Sequence, residues 1–506
     1  MVCIQFLTKT TVCEVQAHFG LSGNPTQDNA SLYDSRSKRM QDIMTSSLSS
    51  SIDYPPGPHS ILPNKLLRRF LHDPIKTLMD ITRRYGDISH FKFGRQQHIY
   101  LLNNPRYIEE VLVKNHKNFT KNKTRQTTKR LLGEGLVTSE GEFHDRQRRI
   151  IQPTFHPNRI KTYGEIMITS AARMCQQWKD GITLDIHKEM MHVTLAIISK
   201  SVLGSDVKSQ DEVGNALLTC MEYSNRVLMP FGQLIAKIPI LPLNKGYQAA
   251  KKKLDLIVYS MIREHRDKES KGTSNADLLY TLLQAQDAEA GIGRMNDSQL
   301  KDEVMTIFVA GHETAANALT WTFYLLSQHP TEEARVYEEL CSVFGKDSSD
   351  TRIPTVEDIP KLEYIENVFR ESMRLYPPVW TIARQAINDY KVDKYVLPAG
   401  SIILMSQYVM HHDPRYFSDP DLFYPDRWTK EVKLQIPRFS YFPFAGGIRG
   451  CVGEPFAWME GILLLATICL EWKMHHDPDH KVELKPPVTL RAKYGMSMTL
   501  ERRKEK

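Results

Sequence analysis

Residues Tyr441 to Gly461 read YFPFAGGIRGCVGEPFAWMEG. Glycines crowd around one cysteine, between an aromatic run and an apolar one, and an arginine stands two positions before that cysteine. The residues that follow Cys451, VGEPFAWMEGILLLATICLEW, have the make-up of a buried helix, which puts the cysteine at a helix start. Backbone N–H groups and the helix dipole favour a thiolate there. Gly446, Gly447, Gly450 and Gly453 permit tight left-handed turns and the close approach of a flat ligand. Arg449 adds a fixed charge of the kind that holds carboxylates. The plain reading is a glycine-rich turn before a core helix, with an inert cysteine. The sharper one is a thiolate under a bulky, carboxylate-bearing cofactor, which describes a haem with axial cysteine.

At 506 residues, with 41% hydrophobic and 25% charged residues, the chain has an ordinary globular composition and can bury a large core. The net charge of +7 fits solvated surface lysines or a basic docking face for an acidic partner. No nucleic-acid module is recognisable. The seven cysteines are scattered and never form C-x-x-C, which points to a reducing compartment, the cytoplasm, and away from a disulfide framework or a zinc ribbon. The N-terminus lacks the layout of a signal peptide. No uninterrupted apolar run reaches the roughly 20 residues that span a bilayer. MTIFVAGHETAANALTWTFYLL, Met305 to Leu326, has the length, but His312 and Glu313 would sit near mid-membrane, so it reads as a central buried helix. No transmembrane anchor is expected.

Residues 1–52 are polar and without period, and read as a disordered extension; YPPGP, Tyr54 to Pro58, is a stiff entry to one large domain over 53–506. HDPIKTLMDITRRYG has helical spacing and ends on a glycine. ISHFKFG and HIYLLNN suit a hairpin. Amphipathic helical patterns dominate from about Pro105 to Tyr390, broken by loops such as KIPILPLNKG. KYVLPAGSIILMS and the tail VTLRAKYGMSMTLERR carry short strand patterns. The fold class is therefore mainly α with a minor β region.

Phe444, Gly447, Arg449, Cys451 and Gly453 fill every fixed position of F-x-x-G-x-R-x-C-x-G, and the stretch resembles the haem-binding loop of the cytochrome P450 family. Upstream, AGHET, Ala310 to Thr314, resembles the oxygen-activating segment of that family's central helix. A carboxylate beside a hydroxyl suits proton delivery, so the resemblance implies Glu313 and Thr314 as catalytic residues, with Ala310 beside the cofactor. A threonine bonding back to its own helix is the commoner use of such a residue. ESMRLYPP supplies Glu371 and Arg374, one helical turn apart, and YPDRW supplies Arg427. They match the family's E-x-x-R and imply a buried ion-pair network with a structural role. GEFHDRQRRIIQPTFH resembles the helix that reaches the haem propionates, with Arg148 in place and His144 where the family usually has tryptophan. Arg384, in TIARQ, and Arg449 complete the implied propionate set.

The resemblance covers about Tyr54 to Glu501. It implies a single-domain cytochrome P450 fold and a haem-thiolate monooxygenase. Its cofactor would be haem b (iron protoporphyrin IX), with Cys451 as axial iron ligand. O2 and a small apolar organic substrate would react, commonly at a C–H bond. The chain has no flavin or nicotinamide fingerprint and no ferredoxin-type cysteine cluster. Electrons would thus come from a separate ferredoxin, flavodoxin or diflavin reductase. Two rivals are a haem-thiolate isomerase or dehydratase acting on peroxides, which commonly lacks the threonine, and a haem sensor, which needs no relay. The pocket would draw on residues before Gly141, Phe231 to Pro242, Ala310, Pro378 to Ile382 and Gly495 to Met498, with Trp380, Met496 and Met498 supplying bulk.

Overall fold

Asn296 opens the longest helix among the described residues. Its side chain accepts from the Gln299 backbone N–H while Gln299 caps it in return, so the helix begins at Asp297, well before the apolar run that marks its centre in the sequence. The computed structural model describes residues 53–503 apart from 59–64, 94–96, 122–124, 204–209, 229–231, 233–235, 237, 239–240, 271–276, 286–293, 346–351 and 487. Residues 1–52, read above as an extension, lie outside the described residues; Pro55–Lys506 forms one compact unit.

The helices that position the site are α1 (Pro74–Tyr85), α2 (Gly141–Ile151), α3 (Pro157–Gln177), α4 (Ile186–Leu203), α5 (Asp297–Gln328), α6 (Glu363–Leu375) and α7 (Glu454–Glu471). Asp73 caps α1 and Pro74 occupies its first turn, while Gly86 ends it at φ 80, the glycine end that the sequence pattern anticipated. Pro242, read as part of a loop, instead opens the helix Pro242–Ser270. Proline suits a first turn, where its missing N–H costs nothing. α5 packs along α4 and also meets α6 and α7, while α7 lies against α3. Trp321, Ala316, Leu463 and Leu464 are wholly buried where these helices meet. No described helix is long and apolar enough to cross a membrane.

The strands of the five-stranded and three-stranded sheets are β1 (Ile88–Phe93), β2 (Gln97–Leu102), β3 (Phe119–Thr120), β4 (Thr183–Asp185), β5 (Ile382–Ala386), β6 (Ile402–Met405), β7 (Trp472–His476) and β8 (Ser497–Arg502). β1 and β2 form the expected antiparallel hairpin, with Ile88 opposite Leu102. Its sheet runs β1-β2-β6-β5-β3, and the β2–β6 pairing is parallel. That pairing joins segments some three hundred positions apart, which no local alternation reveals. The tail strand β8 pairs with both β4 and β7.

Glu371 and Arg374 are completely buried. Arg374 Nε donates to Glu371 Oε2 at 2.9 Å and Nη2 to Oε1 at 2.8 Å. The guanidinium also donates to the carbonyls of His411, Pro420 and Leu422 at 2.9, 2.6 and 3.0 Å. Glu371 further accepts from Trp428 Nε1 at 2.8 Å, the Tyr424 N–H at 3.1 Å and Arg427 Nε at 3.3 Å. The pair thus pins α6 to the segment leading toward the cysteine loop. Removing one partner strands the other charge away from water, a loss of about 3–5 kcal/mol. Arg374→Leu should lower unfolding stability by that amount in a denaturant titration, whereas an exposed pair such as Lys430–Glu363 should contribute under ~1 kcal/mol.

Candidate active site

The cysteine loop is held by its own backbone. The Ala445 N–H donates to Phe442 O at 2.9 Å, Gly450 to Gly447 O at 3.0 Å and Cys451 to Phe444 O at 3.0 Å. Gly447 has φ +68, and a Cβ there would stand 2.0 Å from Leu112 O. A Cβ on Gly446 would meet the Phe439 ring at 2.4 Å. The loop is therefore pressed against its neighbours where the sequence has no side chains. Gly453 differs: an added Cβ would make only ordinary contacts, 3.9 Å from Cys451 Sγ and from Phe155.

Cys451 is exposed, but its exposure is to an internal cavity of about 330 Å³ that it helps to line. The protein around it still excludes water, and this burial pushes the thiol up to about 11. The N–H groups of Gly453 and Glu454 and the Arg148 charge pull the other way, and Glu454 opposes them. The helix start thus helps the sulfur without ionising it by itself; a coordinated metal ion would complete the deprotonation.

The opposite wall is one face of α5: Glu303, Ile307, Ala310 and Thr314, spaced by helical turns, with Gly311 and Ala315 beside them. Phe444, Phe456, Leu136, Pro378 and Val379 close the sides, so the interior is mostly apolar, with Glu303, Thr306, Gln407 and Glu460 as its polar exceptions. Of the bulky residues expected in the pocket, Trp380, Met496 and Met498 are not part of this wall; they fill hydrophobic clusters instead. Residues 231–242 lie largely outside the described residues.

His144, Arg148 and Arg449 line the rim, and Lys121, which nothing in the sequence marked out, joins them. Arg148 Nη1 donates to Gly450 O at 2.7 Å. Arg449 donates to Ser139 O at 3.1 Å and pairs with Glu140. Burial holds His144 down to about 4, so it is neutral near pH 7; its Nδ1 lies 3.1 Å from Asp145 Oδ1. Arg384 is not in the cavity wall: it is buried behind the rim, donates to Ala383 O at 3.0 Å, and is drawn down to about 10 by burial and then by the Arg449 charge. A buried guanidinium repelled by another is short of anions. Guanidinium and ammonium groups around an apolar slot with a sulfur at its floor suit a planar metal complex bearing carboxylates.

Glu313 and Thr314 face different ways. Thr314 lines the cavity and its hydroxyl donates to Ala310 O at 2.6 Å, the back-bond common for threonine in helices. Glu313 is buried on the other side, accepting from Thr489 Oγ1 at 2.8 Å with Arg491 Nη1 at 3.9 Å. Burial raises its carboxyl while Thr489 and Arg491 lower it. Sequence reasoning missed Thr489 and Arg491, because nothing in the tail's strand pattern points to a partner in α5.

The sequence family described as Cytochrome P450 matches residues 54–498. The chain is 35% identical over 410 residues to "Cyclooctatin synthase" of Streptomyces melanosporofaciens, covering 81% of this chain and 87% of that one. It is similarly 35% identical to "Cyclooctat-9-en-7-ol 5-monooxygenase" of the same organism, over 78% and 84% of the two chains. "Pentalenene oxygenase" of Streptomyces avermitilis is 30% identical over 85% of this chain and 92% of its own. Among solved structures, the "cytochrome P450DA heme domain" superposes with a TM-score of 0.80, covering 89% of this chain and 98% of that one at 24% identity, a likeness of fold.

Gly447 offers the sharpest test of the loop. Gly447→Ala combines a left-handed backbone with a backbone clash, strain on the order of 1–3 kcal/mol. Purified Gly447→Ala protein should carry a lower ratio of cofactor absorbance to protein absorbance than Gly453→Ala.

Proposed function

The chain belongs to the cytochrome P450 family and is a haem-dependent monooxygenase, and from this premise we propose that Cys451 is the axial ligand and that Thr314 and Glu313 supply protons. The observation that carries the reading is the one cavity lined by Cys451, the Thr314 face of α5 and the side chains of Arg148 and Arg449. The haem, when bound, supplies the chemistry that puts one atom of O2 into the substrate and releases the other as water.

The residues of the chain do the rest. Cys451 offers the sulfur from a loop that its glycines press against Leu112 and Phe439. Arg148, Arg449, Lys121 and neutral His144 would hold the cofactor's carboxylates, with Arg384 adding its field from behind, as suits haem b. Phe444 and Ala310, which line the cavity, would pack against it. Thr314 Oγ1 is a proton-bearing atom on the cavity face of α5, and Glu313 recharges it. The apolar walls exclude water and orient the substrate.

Two relatives are named for cyclooctat-9-en-7-ol and pentalenene. Unsaturated, largely hydrocarbon molecules of that kind suit the walls described above, and we assign the substrate to that class. A redox partner is required. Lys430 and Arg438 are strongly exposed, and Lys433 lies close enough to Arg370 to feel its charge. These cations flank the segment that enters the cysteine loop and would receive an acidic ferredoxin, flavodoxin or diflavin reductase. The scattered cysteines favour the cytoplasm, and 53–506 is the catalytic domain.

Cys451→Ser should abolish the reduced, carbon-monoxide-bound band of thiolate-ligated haem; its survival would sink the assignment. Thr314→Ala should keep that band but lower product per electron pair by roughly tenfold, below the ~10²-fold cost of losing a proton donor outright because water can substitute. Neutralising Lys430, Lys433 and Arg438 together should slow reduction by an acidic donor and weaken its salt dependence.

A further inference from the structure

Asp302 and Glu303 follow one another in α5 and, about 100° apart on the helix, grip the same neighbouring segment. Asp302 Oδ2 accepts the Glu134 N–H at 2.9 Å, and Glu303 Oε2 accepts the Leu136 N–H at 2.8 Å. The alternate residues of that segment come too close to α5 for side chains. A Cβ on Gly133 would stand 2.1 Å from the Asp302 carboxylate, and one on Gly135 would stand 2.1 Å from Thr306 Oγ1 and 2.6 Å from Asp302 O. The segment is stiff within itself: Thr138 Oγ1 donates to the carbonyls of Gly133 and Gly135 at 2.7 and 3.0 Å, and the Ser139 N–H to Gly135 O at 2.9 Å. Its far end is fixed as well, for Ser139 O accepts from Arg449 at 3.1 Å. Residues 133–139 are thus a strap pinned to α5 at one end and to the cysteine loop at the other. Leu136 and Val137, at its middle, line the cavity. Glu303 is wholly buried, and its second oxygen accepts from Gln147 Nε2 at 3.0 Å. Burial raises its carboxyl to about 7, so near neutral pH an uncharged acceptor can serve at this place.

We propose that Asp302 and Glu303 set the length limit of the substrate cavity from behind its wall, an inference that rests on reading this cavity as a haem and substrate site. The two carboxyl groups hold the strap at a fixed height over α5, and a substrate meets Leu136 and Val137 where that height has placed them. Glu303 stands seven residues, roughly 10 Å along the helix axis, before Ala310, which the reading above places against the cofactor. Small ligands held at the cofactor end do not reach the strap, and long ones do. A long ligand is accepted to the extent that the strap lifts, and lifting it breaks the hydrogen bonds from the Glu134 and Leu136 N–H groups. Asp302 and Glu303 are positioning residues, since their oxygens are engaged by protein and they act on substrate only through the strap.

The test titrates holoenzyme with imidazole and with a biphenylmethyl imidazole, followed by the Soret shift, in the parent and in Glu303→Leu, Gly135→Ala and Glu303→Gln. Glu303→Leu removes the acceptor of the Leu136 N–H, and Gly135→Ala pushes the strap off α5 without touching a carboxyl group. Each should bind the long imidazole about two- to tenfold more tightly than the parent, the range that one hydrogen bond contributes. Affinity for imidazole itself and the thiolate-haem band should stay as in the parent. Glu303→Gln keeps an acceptor for the Leu136 N–H and should match the parent throughout. A loss common to both imidazoles, the mark of a merely structural role, leaves the ratio of the two affinities parental. A ratio that stays parental or moves the other way in Glu303→Leu or Gly135→Ala would overturn this proposal and leave the reading of the site standing, and so would Glu303→Gln behaving like Glu303→Leu. Absence of the thiolate-haem band from the parent would overturn both. Should Gly135→Ala or Glu303→Leu fail to fold, the other decides together with Glu303→Gln.

Discussion

A carboxylate and a guanidinium with no access to water govern the C-terminal third of the molecule. Glu371 and Arg374 neutralise each other, but a buried ion pair is tolerated only when its remaining hydrogen-bonding capacity is met. Arg374 meets it with the carbonyls of His411, Pro420 and Leu422, and Glu371 with Tyr424, Arg427 and Trp428. Those obligations fold the irregular segment between β6 and the cysteine loop. The link continues to the loop itself: His411, fixed through its carbonyl by Arg374, accepts the Phe442 N–H at Nε2 at 3.0 Å. Burial keeps His411 well below its ordinary range and therefore neutral, which leaves that nitrogen free to accept. The sulfur of Cys451 is thus placed by a pair of charges that never approaches it.

The cavity shows a second constraint, electrostatic rather than steric. Its rim gathers Arg148, Arg449 and Lys121, with Arg384 behind and Glu140 as the acid paired with Arg449. Such an excess of buried or half-buried cations opposes folding unless an anion joins it. At the same time the thiol at the floor resists ionisation. A metal complex bearing carboxylates, if bound here, would relieve both problems, because the metal would favour the ionised sulfur and the carboxylates would answer the guanidinium groups.

Much of this was legible along the chain. α1 and its caps, the β1–β2 hairpin and α7 follow from local spacing, since each is stabilised by neighbours a few positions away. Cys451 and Arg449 stood out because a close-packed loop tolerates few residue types at fixed offsets, whereas Arg148, on α2, stood out only through the likeness of its helix to a family segment. The central helix was legible at its apolar middle but not at its start. There Lys301, Asp302 and Glu303 are buried against polar partners such as the Leu136 N–H, which accounts for their charge without exposing them.

What the sequence by itself determined was which residues, Cys451, Arg148, Arg449 and Thr314, could serve such a site, and the short elements that carry them. What the tertiary structure alone decided was direction and partnership. It turned Glu313 away from Thr314 and onto Thr489, set Glu140 against Arg449, moved Trp380, Met496 and Met498 into the core, and joined β2 to β6. The physical reason is that a residue's type and spacing fix which face of a helix or strand it occupies, while the segment that covers this face is chosen by packing across hundreds of residues, where no local pattern reaches.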